Sequence, residues 1–514
     1  MAALLAVALV VRLVLLVRSS WLLDGDDALS ALMAVGILAG DRPIMLKNQT
    51  YAAAWEPYLM AVSYVVAGVS RVSAKVPALV GSLALVPVSA LLAREVGGRT
   101  AAWFTAALVA LPPVYVLAMT LKPWAPYTEV MVAGSLALLG AIRLAFPPRR
   151  PRDTVWTIVC GAAGGAAFFM HPLAVWYLLP AALLVLLRVH GGRLLRCAAM
   201  GAGAFLVGAS PFLLYNWRTG GATLQFVAHG VAGQTADRLA VLSAWWNGDL
   251  PRGAGLWHPW GPSPLSAAVV TAALAATAVA WAALAGRWPR PGWRPLDAVL
   301  LLLIGIPVVF VLSGFGGPAV NPYGFDATGR YAPPIWHALA VVLGCFFAAA
   351  WRWRRPLGLA LAAVTLAVNA FQWRSADPVA AFQSPYWSKL PRDNGPLLAT
   401  LRQEGVTRIW LNHWAGLPLM LDARAAGQEL VAYDWYDVQA GGIDRFPEYR
   451  PLVETAARPA YVLVTGESRP ELEARLGDLG VAYTERRVPP YVVVIPRSRT
   501  VHPSEVTGAL DYRY

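Results

Sequence analysis

Charge is scarce in this sequence: 14% of its 514 residues are Asp, Glu, Lys or Arg, where a soluble chain carries about a quarter. Cysteine is scarcer, with Cys160, Cys197 and Cys345 all lying within or at the ends of apolar runs. These positions exclude an external disulfide framework and a thiolate metal cluster. Lysine supplies only four of the 42 basic residues, an Arg- and Ala-rich usage that points to a bacterial source. The stretch Ala2 to Val17 lacks a basic leader and an A-x-A site before Trp21, so it reads as a retained first span and not as a cleaved signal. There is no G-x-G-x-x-G after the first strand of the C-terminal region, which leaves nucleotide binding without support.

What is abundant is apolar sequence. Hydrophobic residues make up 57% of the chain and gather into blocks of 16 to 23, the length at which a helix satisfies its own backbone in lipid. Eleven spans are expected, at roughly 2–17, 76–93, 101–119, 127–146, 154–170, 172–188, 197–215, 263–285, 297–313, 331–350 and 356–372. Basic turns fall between alternate spans: Arg94/Arg99, Arg149/Arg150/Arg152, Arg188/Arg193/Arg196, Arg287/Arg290/Arg294 and Arg352/Arg354/Arg355. All five lie on one side, which the positive-inside rule makes the cytoplasm. The N-terminus is then cytoplasmic and the C-terminal region extracytoplasmic, in a bacterial inner membrane. The net charge of +13 belongs to these turns and to anionic lipid heads. No basic face on a folded domain indicates a nucleic-acid partner.

The segment Pro57–Gly68 is apolar but too short to span, so it is expected to lie in the interface. With a helix over Ala28–Ala39 it forms a juxtamembrane pair in an external loop, residues 18–75. The remaining external face comprises Lys122–Tyr127, the His171 turn, 216–262 and 314–330. The chain therefore divides into a transmembrane domain, 1–372, and an external α/β domain, 373–514. Within the latter, Arg408–His413, Glu429–Tyr433, Ala460–Thr465 and Tyr491–Ile495 read as strands and Pro470–Leu479 as a helix.

The sharpest local signal is Asp24-Gly25-Asp26-Asp27-Ala28, three carboxylates at the start of an apolar helix just outside the first span. They are either helix caps and interface anchors, or a carboxylate base that takes a proton from an acceptor hydroxyl. A hydrated divalent ion on the cluster is a third reading. Glu129, just inside a span, is functional by default, or else pairs with Lys122. Glu56 is a helix cap or a contact to substrate, and His171 a turn histidine or a phosphate or sugar contact. Arg12 is placed to reach external head groups. Trp245, Trp246, Trp257 and Trp260 serve either an interfacial aromatic belt or sugar stacking.

These motifs resemble those of the GT-C glycosyltransferases. Asp26-Asp27-Ala28 is similar to the Asp-Glu motif of their first external loop, most of all in glycosyltransferase family 39, which includes protein O-mannosyltransferases and the lipid A aminoarabinose transferase. Tyr51 to Leu59, Phe169-Met-His171-Pro172, Ser210-Pro211 to Tyr215-Asn216 and Gly329-Arg330-Tyr331-Ala-Pro333-Pro334 resemble further patterns in family order. The resemblance covers most of residues 1–372. It implies a polytopic α-helical GT-C fold with about eleven transmembrane helices, to which the small α/β domain is added. It implies an inverting transferase, with a polyprenyl phosphate sugar as donor and an external glycan, lipid or protein hydroxyl as acceptor. Asp26 is the implied catalytic carboxylate. Asp27 stands where the family has Glu. Arg330 and then Lys122 are the expected holders of the donor phosphate, because a leaving lipid monophosphate is stabilised by a cation. Glu56, Tyr51, Glu129, His171 and Tyr331 are the expected substrate contacts. No cofactor and no metal ligand set is expected, with a divalent ion left open. Two other classes compete: a transporter or flippase of lipid-linked sugars, which would show repeats and mid-membrane carboxylates, and a non-catalytic scaffold with an external binding domain.

Overall fold

The computed structural model describes residues 1–147, 152–232, 238–255, 294–313, 330–331, 333–383, 390–464 and 469–506. The expected span 263–285, most of the loop 314–330, and Trp257 and Trp260 lie outside the described residues.

Six described helices are long and apolar enough to cross a bilayer: Arg71–Ala110, Tyr127–Ala145, Asp153–Met170, Pro295–Leu312, Pro333–Trp353 and Arg355–Arg374. Gly191–Gly208 and Ser210–Arg218 make a further candidate bent by 63°, where Pro211 removes a helix donor. Ala2–Arg18 and Pro172–Arg188 are shorter apolar helices beside them. The protein is a multi-pass membrane protein. Small residues set the closest helix approach: a Cβ on Gly165 would lie 2.1 Å from the Phe205 carbonyl oxygen, so Asp153–Met170 and Gly191–Gly208 meet backbone to backbone.

Arg71–Ala110 runs for 40 residues, about 60 Å, or roughly twice the hydrocarbon thickness. It turns at Gly98, whose φ of 86° suits glycine. Its two legs correspond to the expected spans 76–93 and 101–119. The second leg stops at Leu111 and a short helix, Val114–Met119, follows. Pro112 and Pro113 cause the break, since neither has an N–H to donate to the preceding turn.

Arg12 repairs that break and does not reach the head groups. Its side chain is buried and its guanidinium donates to the carbonyls of Val109 (3.3 Å), Ala110 (3.0 Å), Ala8 (3.1 Å) and Ser82 (3.3 Å), and to Ser82 Oγ at 2.9 Å. Ser82 Oγ in turn lies 2.9 Å from Thr120 Oγ1. Deeper in the bundle, His337 lies 3.1 Å from the Tyr177 hydroxyl and 2.9 Å from Ser89 Oγ.

The chain between Ala2–Arg18 and Arg71–Ala110 folds over one end of the bundle. It comprises the helix Gly25–Ala39, a hairpin of β1 (Met45–Leu46) and β2 (Gln49–Ala53), and the helix Trp55–Ala67. Trp55–Ala67 has 13 residues and exposes Val62, Val65 and Val66, as expected of a helix lying in the interface.

Beyond the last apolar helix, five strands form one mixed sheet: β3 (Arg408–Trp410), β4 (Val431–Tyr433), β5 (Ala460–Val464), β6 (Tyr483–Val488) and β7 (Tyr491–Pro496), in the order β4-β3-β5-β7-β6. β3 is parallel to β4 and β5, whereas β7 is antiparallel to β5 and β6. The four expected strands are present, and so is the helix, at Arg469–Asp478. β6 was not anticipated. It is an edge strand whose Thr484, Glu485, Arg486 and Arg487 stay partly or fully exposed, so it lacks the apolar alternation that marks a covered strand.

The sheet domain closes directly on the loop. A Cβ on Gly25 would lie 2.9 Å from the Trp414 ring and 3.0 Å from Trp414 Cα, so only glycine admits the helix His413–Ala425 here. Arg71 anchors the contact from below. Its Nε donates to Asp422 Oδ1 at 2.7 Å and its Nη1 to the Arg392 carbonyl at 2.8 Å.

Candidate active site

Ser20 and Trp21, both at φ 55°, turn the chain sharply after the first helix and deliver Asp24 to the N-cap of Gly25–Ala39. Asp24 Oδ1 accepts from the Asp27 N–H at 3.0 Å. Successive helical residues are rotated by about 100°, so the neighbouring carboxylates must diverge. Asp24 pairs with Lys122, and both are buried. Asp27 Oδ2 accepts from Lys75 Nζ at 2.9 Å, with both side chains fully buried. Asp26 alone keeps an accessible side chain, 17% exposed, and faces Arg445 of the sheet domain at 3.8 Å.

The carboxylates therefore do not converge on one point, as a shared divalent ion would require. Lys122 also donates to the Phe382 carbonyl at 3.0 Å and sits 4.7 Å from the Trp124 ring centroid. Its ammonium is committed to the protein interior. Burial works against the Lys122 charge, but Asp24 and Asp27 outweigh it and hold its pKa above the ordinary lysine value. Burial, and then the adjacent Asp24, push Asp27 up to about 6 against the pull of Lys75 and Lys122. Lys75 in turn lies 4.5 Å from the centroid of the Phe382 ring.

Glu56 and Glu129 lie behind this layer. Glu56, in the first turn of Trp55–Ala67, is buried, and its Oε2 has no hydrogen-bond partner among the described residues. Burial, then Glu129 and Asp27, raise its pKa well above the usual carboxylate range. Glu129 packs against Gly81 and, among the described residues, finds no partner for its oxygens beyond its own backbone. It makes no pair with Lys122, which Asp24 has taken.

Around Tyr127, aromatic rings gather beside a cation. Arg330 lies 5.5 Å from the Tyr331 ring centroid, and Tyr331 meets Tyr127 at 6.1 Å. His171 is 5.0 Å from Tyr127 and 5.5 Å from Tyr51, which stacks on Phe226 at 4.8 Å. His171 Nδ1 accepts from the Leu173 N–H at 3.1 Å, so a proton on the neutral ring sits on Nε2. Burial and Arg330 push His171 down to about 3, which keeps it neutral at ordinary pH. Asp26, Arg330, Tyr51 and Tyr331 all act electrostatically on the Tyr127 hydroxyl. Arg330, Tyr331, His171 and Tyr51 thus gather around Tyr127, and Asp26 marks an accessible mouth at the start of Gly25–Ala39.

Two contributors had no signal in the sequence. Tyr127 is an ordinary interfacial tyrosine until its neighbours are known. Arg445 is remote in the chain, and it also donates to the Gln49 amide oxygen at 2.7 and 3.3 Å when that amide is oriented to satisfy both partners. Around it the loop carrying Arg445 clasps the hairpin: Lys47 pairs with Glu448, Asn48 donates to the Asp444 carbonyl, and Lys47 lies 4.5 Å from the Phe446 centroid.

Farther into the sheet domain, His413, Asp434 and Asp437 bring three possible ligand atoms within 4.8 Å of one another. Asp434 is already satisfied there. It accepts from the His413 N–H (2.8 Å), is 2.9 Å from His413 Nδ1, and caps the Asp437 N–H at 3.1 Å. On the bundle flank, Leu242, Trp245, Trp246 and Leu250 face Leu303, Pro307 and Val311 across an open apolar groove of about 1210 Å³. Trp245 and Trp246 thus line an apolar groove.

No family model and no curated protein sequence matches the chain. Solved structures do. ArnT from Cupriavidus metallidurans, bound to undecaprenyl phosphate, superposes with a TM-score of 0.64 over 100% of this chain and 99% of that one, at 17% identity. Its apo form gives 0.62, with 96% and 97% coverage and 17% identity. The arabinofuranosyltransferase AftD from Mycobacteria gives 0.51 at 15% identity, over 96% of this chain and 41% of its own. The Archaeoglobus fulgidus oligosaccharyltransferase, in complex with Zn and sulfate, gives 0.50 at 12% identity, over 94% and 71%. The shared feature is the fold.

Proposed function

We propose that this chain is a GT-C membrane glycosyltransferase that moves a sugar from a polyprenyl phosphate to an acceptor hydroxyl at the extracytoplasmic face, with inversion. The observation that carries the reading is the division of labour among three adjacent carboxylates. Asp24 and Asp27 are spent in buried ion pairs, and Asp26 is left accessible at the mouth, facing Arg445. In the reaction the acceptor oxygen bonds to the anomeric carbon from the face opposite the phosphate. The bond from that carbon to the phosphate oxygen breaks, and its electron pair leaves with the phosphate. Asp26 takes the acceptor proton as general base.

Arg330 is the proposed partner of the leaving phosphate, since a guanidinium holds two of its oxygens together. Tyr51, Tyr331 and neutral His171 shape the sugar site. Lys122 and Asp27 act on the mouth indirectly, by fixing the helix start that presents Asp26, and Glu56 and Glu129 pack beneath it. The apolar groove between Trp245 and Pro307 suits the prenyl tail, because a lipid chain needs an open apolar wall and no polar partners. That the bacterial inner membrane is the site, with the sheet domain outside, follows in this reading from the basic turns.

The test is transfer from labelled polyprenyl phosphate sugars in membranes, comparing wild type with Asp26→Asn at equal expression. Loss of the base should lower turnover by about 10²–10⁴-fold while the melting temperature in detergent stays at the wild-type value. Full turnover in Asp26→Asn would remove Asp26 from the mechanism.

A further inference from the structure

Asp24 and Asp27 are each fixed by a buried lysine, whereas Asp26 is held from the sheet domain. Among the described residues the cation that pairs with it is Arg445, whose Nη2 lies 3.8 Å from Asp26 Oδ1. That separation is too long for a hydrogen bond and short enough for a strong charge–charge attraction. The guanidinium therefore draws the carboxylate to one side without covering the oxygens that must accept a proton. Both side chains are 17% exposed, so salt screens this pair less than it would a surface pair.

Arg445 does not depend on Asp26 for its place. With its amide oriented to accept, Gln49 of β2 takes hydrogen bonds from both terminal nitrogens of Arg445, at 2.7 and 3.3 Å. The acids near Arg445 that would draw it away have partners of their own. Asp444 accepts from the Tyr433 hydroxyl at 2.8 Å, Asp434 Oδ2 lies 2.9 Å from His413 Nδ1, and Glu448 pairs with Lys47. Nor is Arg445 needed to dock the sheet domain. Lys47 on Glu448, Asn48 on the Asp444 carbonyl, Arg71 on Asp422 and the Gly25–Trp414 contact already do that. What remains for this guanidinium is the carboxylate it faces.

An aspartate side chain has three staggered χ1 wells to choose from, and a base misplaced by about 1 Å loses about 10²-fold in rate. We infer that Arg445 is a positioning residue: tethered by Gln49, it holds Asp26 in the orientation that meets the acceptor hydroxyl. This rests on the transfer reading above and makes the sheet domain part of the catalytic unit. A chain without Arg445 keeps its base and loses the aim of it.

The experiment uses the full-length protein in its own membranes, which supply the acceptor pool, and titrates labelled polyprenyl phosphate sugar at equal expression. Arg445→Met keeps the apolar stem and removes the charge. Its kcat should fall about 10–100-fold, with the donor KM within about twofold of wild type. Arg445→Lys, which keeps the charge, should recover most of that loss. Gln49→Leu removes only the tether and should fall between wild type and Arg445→Met. Lys47→Met loosens the clasp between the domains without touching Asp26 or Arg445, and should turn over at the wild-type rate. A thermal melt of each variant in detergent shows which are folded, and if Arg445→Met is not, Gln49→Leu carries the test. Wild-type kcat in the folded variants, or a raised donor KM with kcat unchanged, overturns the positioning role and leaves the transfer chemistry standing. An equal loss of kcat in Lys47→Met overturns it too, because the effect then belongs to the clasp. If wild type consumes no donor, or Asp26→Asn keeps full turnover, the transfer reading falls, and this inference falls with it.

Discussion

Two buried polar regions of this protein look alike in composition and differ in how completely they are satisfied. In the bundle, Arg12 spends its guanidinium on four carbonyls and a serine hydroxyl. At the mouth, Asp24, Asp27, Lys75 and Lys122 are paired, but among the described residues Asp27 Oδ1 and Glu56 Oε2 have no hydrogen-bond partner, and the Glu129 oxygens have none beyond their own backbone. A buried acceptor without a donor costs about 1–3 kcal/mol, so a fold retains one where something other than stability is served. The first region is architecture. The second surrounds the carboxylate that we propose as the base.

The sharpest way to break that contrast is to remove a counter-charge at the mouth. Lys75→Met leaves Asp27 buried without its cation, which should cost about 3–5 kcal/mol. Folded protein recovered by size exclusion in detergent should fall steeply, and Lys75→Met combined with Asp27→Asn should recover most of it. Equal recovery of the single and double variants would mean that the pair carries little. Arg12→Met tests the other region. It strands the Val109 and Ala110 carbonyls at the proline break and should cost about 2–3 kcal/mol, read as a lower melting temperature. The protein that remains folded should transfer sugar at the wild-type rate, because Arg12 touches only the scaffold.

The smallest effect has the opposite sign. Glu56 has a folded-state pKa raised above its unfolded value by burial, Glu129 and Asp27. The folded protein therefore holds this proton more tightly than the unfolded chain. Stability falls as pH rises from the ordinary glutamate range through the raised value. Glu56→Gln, which mimics the protonated form, should match wild type at low pH and equal or exceed it by about 1 kcal/mol at pH 8. A loss of stability at pH 8 would show that the charged form is the one the mouth is built around.

Much of this was legible in the chain itself. The apolar blocks, the short apolar helix after Trp55 and four of the five described sheet strands follow from run length and periodicity, which are local properties. The divergence of Asp26 from Asp27 was implicit in helical rotation, and the motif resemblance singled out Asp26. The pairing of Lys122 with Asp24 was not legible, because an isolated lysine in a short loop gives no sign of the buried aspartate facing it. Arg12 looked like a head-group anchor because the Pro112-Pro113 break it serves lies a hundred residues away. β6 escaped because an edge strand is not obliged to alternate.

By itself the sequence determined a multi-pass membrane chain with acidic residues gathered just outside its first span, since lipid imposes length and polarity rules that any helix must obey alone. Only the tertiary structure decided which of those acids stays accessible, since that depends on where Lys75 and Lys122 arrive. It also decided that Arg445, from the far end of the chain, stands over Asp26. Charge pairing is a matter of a few ångströms between remote segments, and no local pattern encodes it.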